Sequence, residues 1–109
     1  MASSREFVDY VVDQASGAGG VRARAMFGEY GVYCGEKMVA LICDDTLFLK
    51  PTGPGRALAG PLDEGSPYPG AKPCLIVPEG DIDDPDRLAD LFRVTAEALP
   101  MPKPKKKKS

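Results

Sequence analysis

With 109 residues, 43% hydrophobic and 28% charged, the chain has the length and usage of one small globular domain. A chain of this size buries somewhat under about 70% of its unfolded surface on folding, enough for one core without disulfides or a metal. No histidine is present, which removes the commonest general base near pH 7 and excludes Ser-His, Cys-His and His-ligated metal chemistry within one chain. No apolar run reaches the about 18 residues of a membrane span, and the start lacks a basic-then-apolar signal pattern, so a cytoplasmic location without membrane contact is expected.

Ser3 followed by Glu6 has the spacing of a capping box, and Phe7, Val8, Val11, Val12 and Ala15 then share one helical face. Gly17-Ala18-Gly19-Gly20 ends this helix. These glycines follow a helix and precede a strand, the wrong order for a phosphate-cradling loop, so a flexible connection is expected. Val21-Arg22-Ala23-Arg24-Ala25 alternates, which predicts a strand with Arg22 and Arg24 on a wet face and Val21, Ala23 and Ala25 on a core face.

Gly28 and Gly31 bracket Glu29-Tyr30 and are read as supplying the positive φ of a sharp reversal. Gly35-Glu36-Lys37 and Asp44-Asp45-Thr46 break the apolar runs again at short intervals, predicting a meander of four strands over the first half. Met38 to Cys43 is apolar at both parities and reads as a central strand with one face on a core and the other covered or partly covered. Pro51 to Lys72 is a Gly- and Pro-rich loop, with room for one helical turn at Arg56-Ala57-Leu58-Ala59. Pro73 to Val77 then reads as a fifth strand closed by Pro78. Asp84 can cap a last helix with Pro85 in its first turn, and Leu88, Leu91, Phe92, Thr95 and Leu99 repeat at helical spacing.

This order predicts an α+β domain over residues 1–99: two layers, with an antiparallel sheet of about five strands and the N- and C-terminal helices packed on one face. Residues 100–109 form a separate electrostatic object. Lys103, Lys105, Lys106, Lys107 and Lys108 give this tail +5, while the remaining nine basic residues face all sixteen acidic ones and leave the body near −7. Repeated prolines followed by like charges predict disorder here.

The order and spacing of Arg24-Ala25-Met26-Phe27-Gly28, Tyr30-Gly31-Val32-Tyr33, Met38 to Cys43 and Leu47 to Lys50 resemble the N-terminal domain of the TfoX/Sxy family of bacterial competence regulators. The likeness continues through Ser66-Pro67-Tyr68-Pro69-Gly70 and the last helix. Met26, Phe27, Gly28, Tyr30 and Gly31 are its most specific markers, and a structural role is expected for them. The resemblance implies the same two-layer fold and a non-enzymatic regulatory role. Full-length members act as transcriptional co-activators beside a cyclic-AMP receptor protein and generally add a C-terminal helical domain, which the resemblance does not cover here.

Other chemistry is thin. Asp44-Asp45 and Asp81-x-Asp83-Asp84 could hold a hard cation through oxygen ligands, but a hairpin turn and a loop with a helix cap account for them better. Cys34, Cys43 and Cys74, at spacings of nine and thirty-one, include no C-x-x-C pair and read as small buried apolar residues. No cofactor or metal is expected.

Tyr30, Tyr33 and Phe48, with Arg22 and Arg24 nearby, have the composition of a base-stacking sheet surface, although packing explains them more simply. The tail lysines fit either a solvated end or weak, salt-sensitive contact with a nucleic acid. The leading expectation is a small interaction or regulatory module whose partner is another protein. The alternative is a nucleic-acid-associated protein tethered by its tail, with Arg22, Arg24 and the five lysines as contacts.

Overall fold

In the computed structural model, which describes residues 3–26 and 28–100, the chain runs α1 (Arg5–Gln14), a 3-10 turn (Ser16–Ala18), β1 (Val21–Met26), β2 (Glu29–Cys34), β3 (Lys37–Cys43), β4 (Thr46–Leu49), α2 (Gly53–Ala59), β5 (Glu64–Gly65), β6 (Cys74–Ile76), α3 (Glu79–Ile82) and α4 (Pro85–Ala98). The fold is α+β. Its strands form one antiparallel six-stranded sheet in the order β1-β2-β3-β4-β6-β5. The sixth strand is β5, a two-residue piece inside the expected loop that pairs Glu64 with Leu75 and Gly65 with Cys74.

The helices supply one layer. Val8 and Val11 of α1, Ala59 of α2, Ile82 of α3 and Leu88, Leu91 and Phe92 of α4 pack with Val32, Ala40, Ile42, Leu47, Leu49 and Leu75 of the sheet. Full burial of such side chains contributes about 1.5–3 kcal/mol each. Helix ends are closed from outside: Lys37 Nζ donates to the Ala96 carbonyl at 2.7 Å, Arg87 Nη2 to that of Ala59 at 2.9 Å, and Gln14 Nε2 to that of Ile82 at 3.0 Å. These donors satisfy last-turn carbonyls that have no partner within their own helix.

Local details depart from the sequence reading in several places. Ser4, not Ser3, caps α1, its Oγ accepting the Phe7 N–H; Ser3 Oγ instead accepts the Asp45 N–H at 2.9 Å. Helix α2 is longer than one turn because Thr52 caps it, accepting the Gly55 N–H, and Pro54 suits its first turn. The acidic stretch before α4 contains a short helix, α3. Ala25, expected on the core face, is exposed near the end of β1, an edge strand. Strand β3 is central as expected, but it carries a bulge: Val32 pairs with Ala40 and Tyr33 with Met38, so Val39 has no partner in β2.

Candidate interaction surface

The family-like motif is a tight hairpin. Met26 pairs with Glu29, so only residues 27 and 28 form the connection between β1 and β2, and Gly28 sits there at φ +80°. Phe27 lies outside the described residues. Gly31 does not share the expected backbone role: it lies inside β2 without a positive φ. Its constraint is proximity, because a Cβ would fall 2.7 Å from Met38 Sδ and 3.0 Å from Met26 Cε. Tyr30 packs against the helical core, which separates it from the other two candidate stacking residues.

Those close contacts define the other face of the sheet, the one without helices. One cross-strand row reads Arg24, Gly31, Leu41, Phe48, Ile76, and a neighbouring row reads Arg22, Tyr33, Met38. Strand alternation places these side chains opposite the helix-packed ones. Cys43, Phe48 and Cys74 form a small buried cluster here, with Leu41 and Ile76 half-buried against it. Phe48 is only 8% exposed, so it supports the sheet and offers no stacking surface. Tyr33 is half-exposed, and the Arg22 guanidinium lies 5.0 Å above its ring centroid, a cation–π contact. Arg22 also donates to the Gly35 carbonyl.

Cations are sorted between the two layers. Ion pairs among the described residues are Arg5–Asp9, Arg56–Glu64, Arg87–Asp81 and Arg93–Asp90, all involving helical or helix-contacting arginines. Arg22 and Arg24 are exposed on the helix-free face and make no ion pair among the described residues. Lys50, directly after β4, approaches Cys74 closely enough for its charge to act on the thiol. The structure thus brings Arg22, Arg24, Tyr33 and Met26 together and adds Met38, Leu41 and Lys50, which sequence reasoning did not single out. Alternation along β3 could have signalled Leu41, but not Met38, which the bulge at Val39 turns to this face, nor Lys50, whose place beside them depends on strand order. Lys103, Lys105, Lys106, Lys107 and Lys108 lie outside the described residues.

The acidic clusters have structural partners. Asp44 and Asp45 both adopt positive φ, 53° and 55°, in the β3–β4 hairpin, as a type I′ turn requires. Asp45 Oδ1 accepts the Ser4 N–H at 2.7 Å. Asp84 caps α4, Asp81 pairs with Arg87, and Asp83 accepts the Tyr10 hydroxyl. Among the described residues no group of three or more Cys, Asp or Glu is placed to hold a metal ion. An open cleft of about 460 Å³ between the end of α1 and the start of α4 is lined by Asp13, Ser16, Asp86, Asp90 and Arg93, away from the hairpin motif.

Burial pushes all three cysteine thiols above their ordinary range, with the charges of Glu29 and Cys74 adding to the effect at Cys43. Cys43 and Cys74 are buried, whereas Cys34 is half-exposed and lies 3.4 Å from the Gly19 carbonyl. No helix among the described residues is long and apolar enough to cross a membrane.

A second surface feature is the Ser66-Pro67-Tyr68-Pro69-Gly70 loop. Ser66 Oγ donates to the Ala71 carbonyl and the Ala71 N–H to the Tyr68 carbonyl, which closes the loop on itself. Tyr68 remains 55% exposed at its tip.

The chain is 44% identical over 109 residues, all of its own length and 94% of the relative's, to a protein of Spirochaeta aurantia described as an uncharacterized 12.7 kDa protein in the trpE 5′ region. Residues 13–99 match the family described as the TfoX N-terminal domain. That span runs from the last turn of α1 through all six strands to the end of α4, and the chain belongs to the TfoX N-terminal domain family.

Proposed function

We propose that this protein is a small, non-enzymatic, cytoplasmic regulatory module that works through contact with another protein. Family membership supports the regulator-like setting. The observation that carries the protein contact is Tyr68: a large aromatic held between two prolines in a self-closed loop and 55% exposed, contributing nothing to the core. Prolines on both sides limit the freedom lost on binding, and tyrosine is favoured in interfaces because it joins apolar area to a polar tip.

The test is affinity capture from a nuclease-treated lysate with the intact chain and with Tyr68→Ser. The expected result is a partner that resists nuclease, is held by the intact chain and is lost with the variant. Identical capture by both proteins removes Tyr68 as the contact. Recovery that disappears with nuclease favours the second reading, nucleic-acid association through Lys103 and Lys105 to Lys108, whose support is the +5 charge of the tail.

A further inference from the structure

We propose that the helix-free face of the sheet, around Arg22, Arg24, Tyr33 and Lys50, binds single-stranded nucleic acid. This surface is separate from Tyr68 and from the lysine tail, and it goes beyond both readings above.

Charge separation is the first support. The body is acidic overall, yet ten of its acids lie on α1, α3, α4 and the Asp83-Asp84 link, on or around the helical layer. Packed layers stand about 10 Å apart, and the Debye length at physiological salt is about 8 Å. Of the other acids, Glu36, Asp44 and Asp45 lie in the hairpin turns and Asp63 and Glu64 at β5 on the far edge, so at its strand positions the open face carries more cation than acid. Glu29 is the one acid at a strand position of matching parity, and its carboxylate is turned to the backbone amides of Ser3 and Asp44.

Geometry is the second. Arg22 and Arg24 are two residues apart on one strand, so about 7 Å separates them, and Lys50 follows β4, three strands away, at about 14 Å. An anion that repeats along its length can meet all three, whereas a strand added to the β1 edge meets only the arginines. Two β1 edges pairing antiparallel about Ala23 set Arg22 against Arg24, and like charges opposite one another disfavour that dimer.

Chemistry is the third. The Arg22 guanidinium lies 5.0 Å over the ring of half-exposed Tyr33; together they offer π surface to a base, and half-buried Met26, Met38 and Leu41 provide an apolar floor beside it. Unpaired bases stack on aromatic rings and guanidinium planes of sheet surfaces, whereas a duplex keeps its base faces inside.

The experiment uses the full chain with Lys103 and Lys105 to Lys108 all replaced by Gln, so that the tail does not contribute. Fluorescence anisotropy follows a labelled oligothymidylate of about twelve nucleotides at low salt. Binding is expected with a log–log salt slope near about −2, the value for three cations on a single strand. Arg22→Glu with Arg24→Glu should weaken it at least about tenfold, and Tyr33→Ala should weaken it several-fold while leaving the slope unchanged. A duplex of equal length should bind more weakly than the single strand. Melting curves and amide-shift mapping of β1 and β2 on the unmutated sheet establish that the face, not unfolding, is responsible. Absence of binding by the tail-neutralised chain, or binding indifferent to the arginine changes, overturns the proposal. So does a polyglutamate peptide that competes as well as the oligonucleotide, which identifies an acidic protein segment as the occupant.

Discussion

Glu29 holds the start of the described chain to the sheet, its Oε1 accepting the backbone N–H of Ser3 at 2.9 Å. Its Oε2 accepts the Asp44 N–H at 3.0 Å, so one carboxylate joins Ser3, the residue before the cap of α1, to the β3–β4 turn. Ser3 closes the same circuit by accepting from Asp45. Three segments distant in the chain thereby meet at a residue that the sequence marks only as part of a hairpin.

The first prediction concerns acid. Burial on its own would raise the Glu29 pKa, but the hydrogen bonds from Asp44 and Ser3 outweigh it and hold the group below the ordinary glutamate range. A depressed folded pKa contributes stability above the unfolded value of about 4.3, and that stability is lost as pH falls through the folded one. Melting temperature should therefore drop below about pH 4.3, and Glu29→Gln should flatten part of that drop. Glu29→Ala should cost about 1 kcal/mol at neutral pH, the scale of a partly exposed hydrogen-bonded link. An unaltered acid profile in Glu29→Gln contradicts the assignment.

The two motif glycines should respond differently. At Gly28 a Cβ meets nothing within 4 Å among the described residues, but φ is +80°, so Gly28→Val should destabilise by about 1–2 kcal/mol through the backbone, and Gly28→Asn should cost less. At Gly31 the backbone is ordinary and the two methionines are the obstacle. Gly31→Val should cost about 1–3 kcal/mol, and Met38→Ala should recover part of the loss. Urea unfolding of the single and double variants measures the coupling.

Where α2 crosses α4, Gly55 lets the backbones approach: a Cβ there would fall 2.7 Å from Thr52 Oγ1 and 3.1 Å from Thr95 Oγ1. Thr95 is fully buried and its hydroxyl has no hydrogen-bond partner among the described residues. Gly55→Ala should destabilise by about 1–3 kcal/mol. Thr95→Val, nearly equal in shape, removes an unsatisfied polar atom and should leave the melting temperature unchanged or higher. A clear fall would show that the hydroxyl has a partner.

Thiol titration with a disulfide reagent should find Cys34 first. It is half-exposed, while Cys43 at 8% and Cys74 at 6% exposure should react only as the protein unfolds. Raised thiol pKa values make even Cys34 slow near neutrality, and its rate should climb as alkaline pH generates thiolate. Equal rates for all three cysteines would contradict the burial of the cluster beneath Phe48.

Much of the architecture is legible in the chain because α1, α4 and the four-strand meander each repeat a clear period over many residues. The shorter pieces are not. β5 has two residues and exists because β6 offers it an edge, and α3 has four residues in a stretch whose acids also suit a loop. Thr52 and Pro54 did mark the true start of α2, three residues before the apolar turn at Arg56. At the surface, alternation reveals that Arg22 and Arg24 share a side. It does not reveal that Lys50 joins them while the paired arginines gather on the helices, because that depends on strand order rather than strand pattern. Gly31 shows the same limit: a glycine required by a neighbour's sulfur looks, in one dimension, like one required by a turn.

The unpaired Val39 acts as a phase slip in β3. Beyond it, Ala40 and Ile42 face the helices, and in an unbroken ladder Met38 would do so too, leaving Lys37 on the open side. The slip reverses these two: Met38 stands beside Gly31, and Lys37 reaches the Ala96 carbonyl. Whether Val39 is paired therefore decides whether the end of α4 is held by a lysine and whether the hairpin floor is lined by a thioether. Deleting Val39 would close the ladder and keep both, because Val32 already pairs with Ala40 and Tyr33 with Met38. A single deletion at Val39 should therefore cost little more than the loss of one buried valine side chain, whereas a residue inserted into β2 between Val32 and Tyr33, which would give Val39 a partner, should turn Met38 towards the helices and Lys37 away from them and be more damaging.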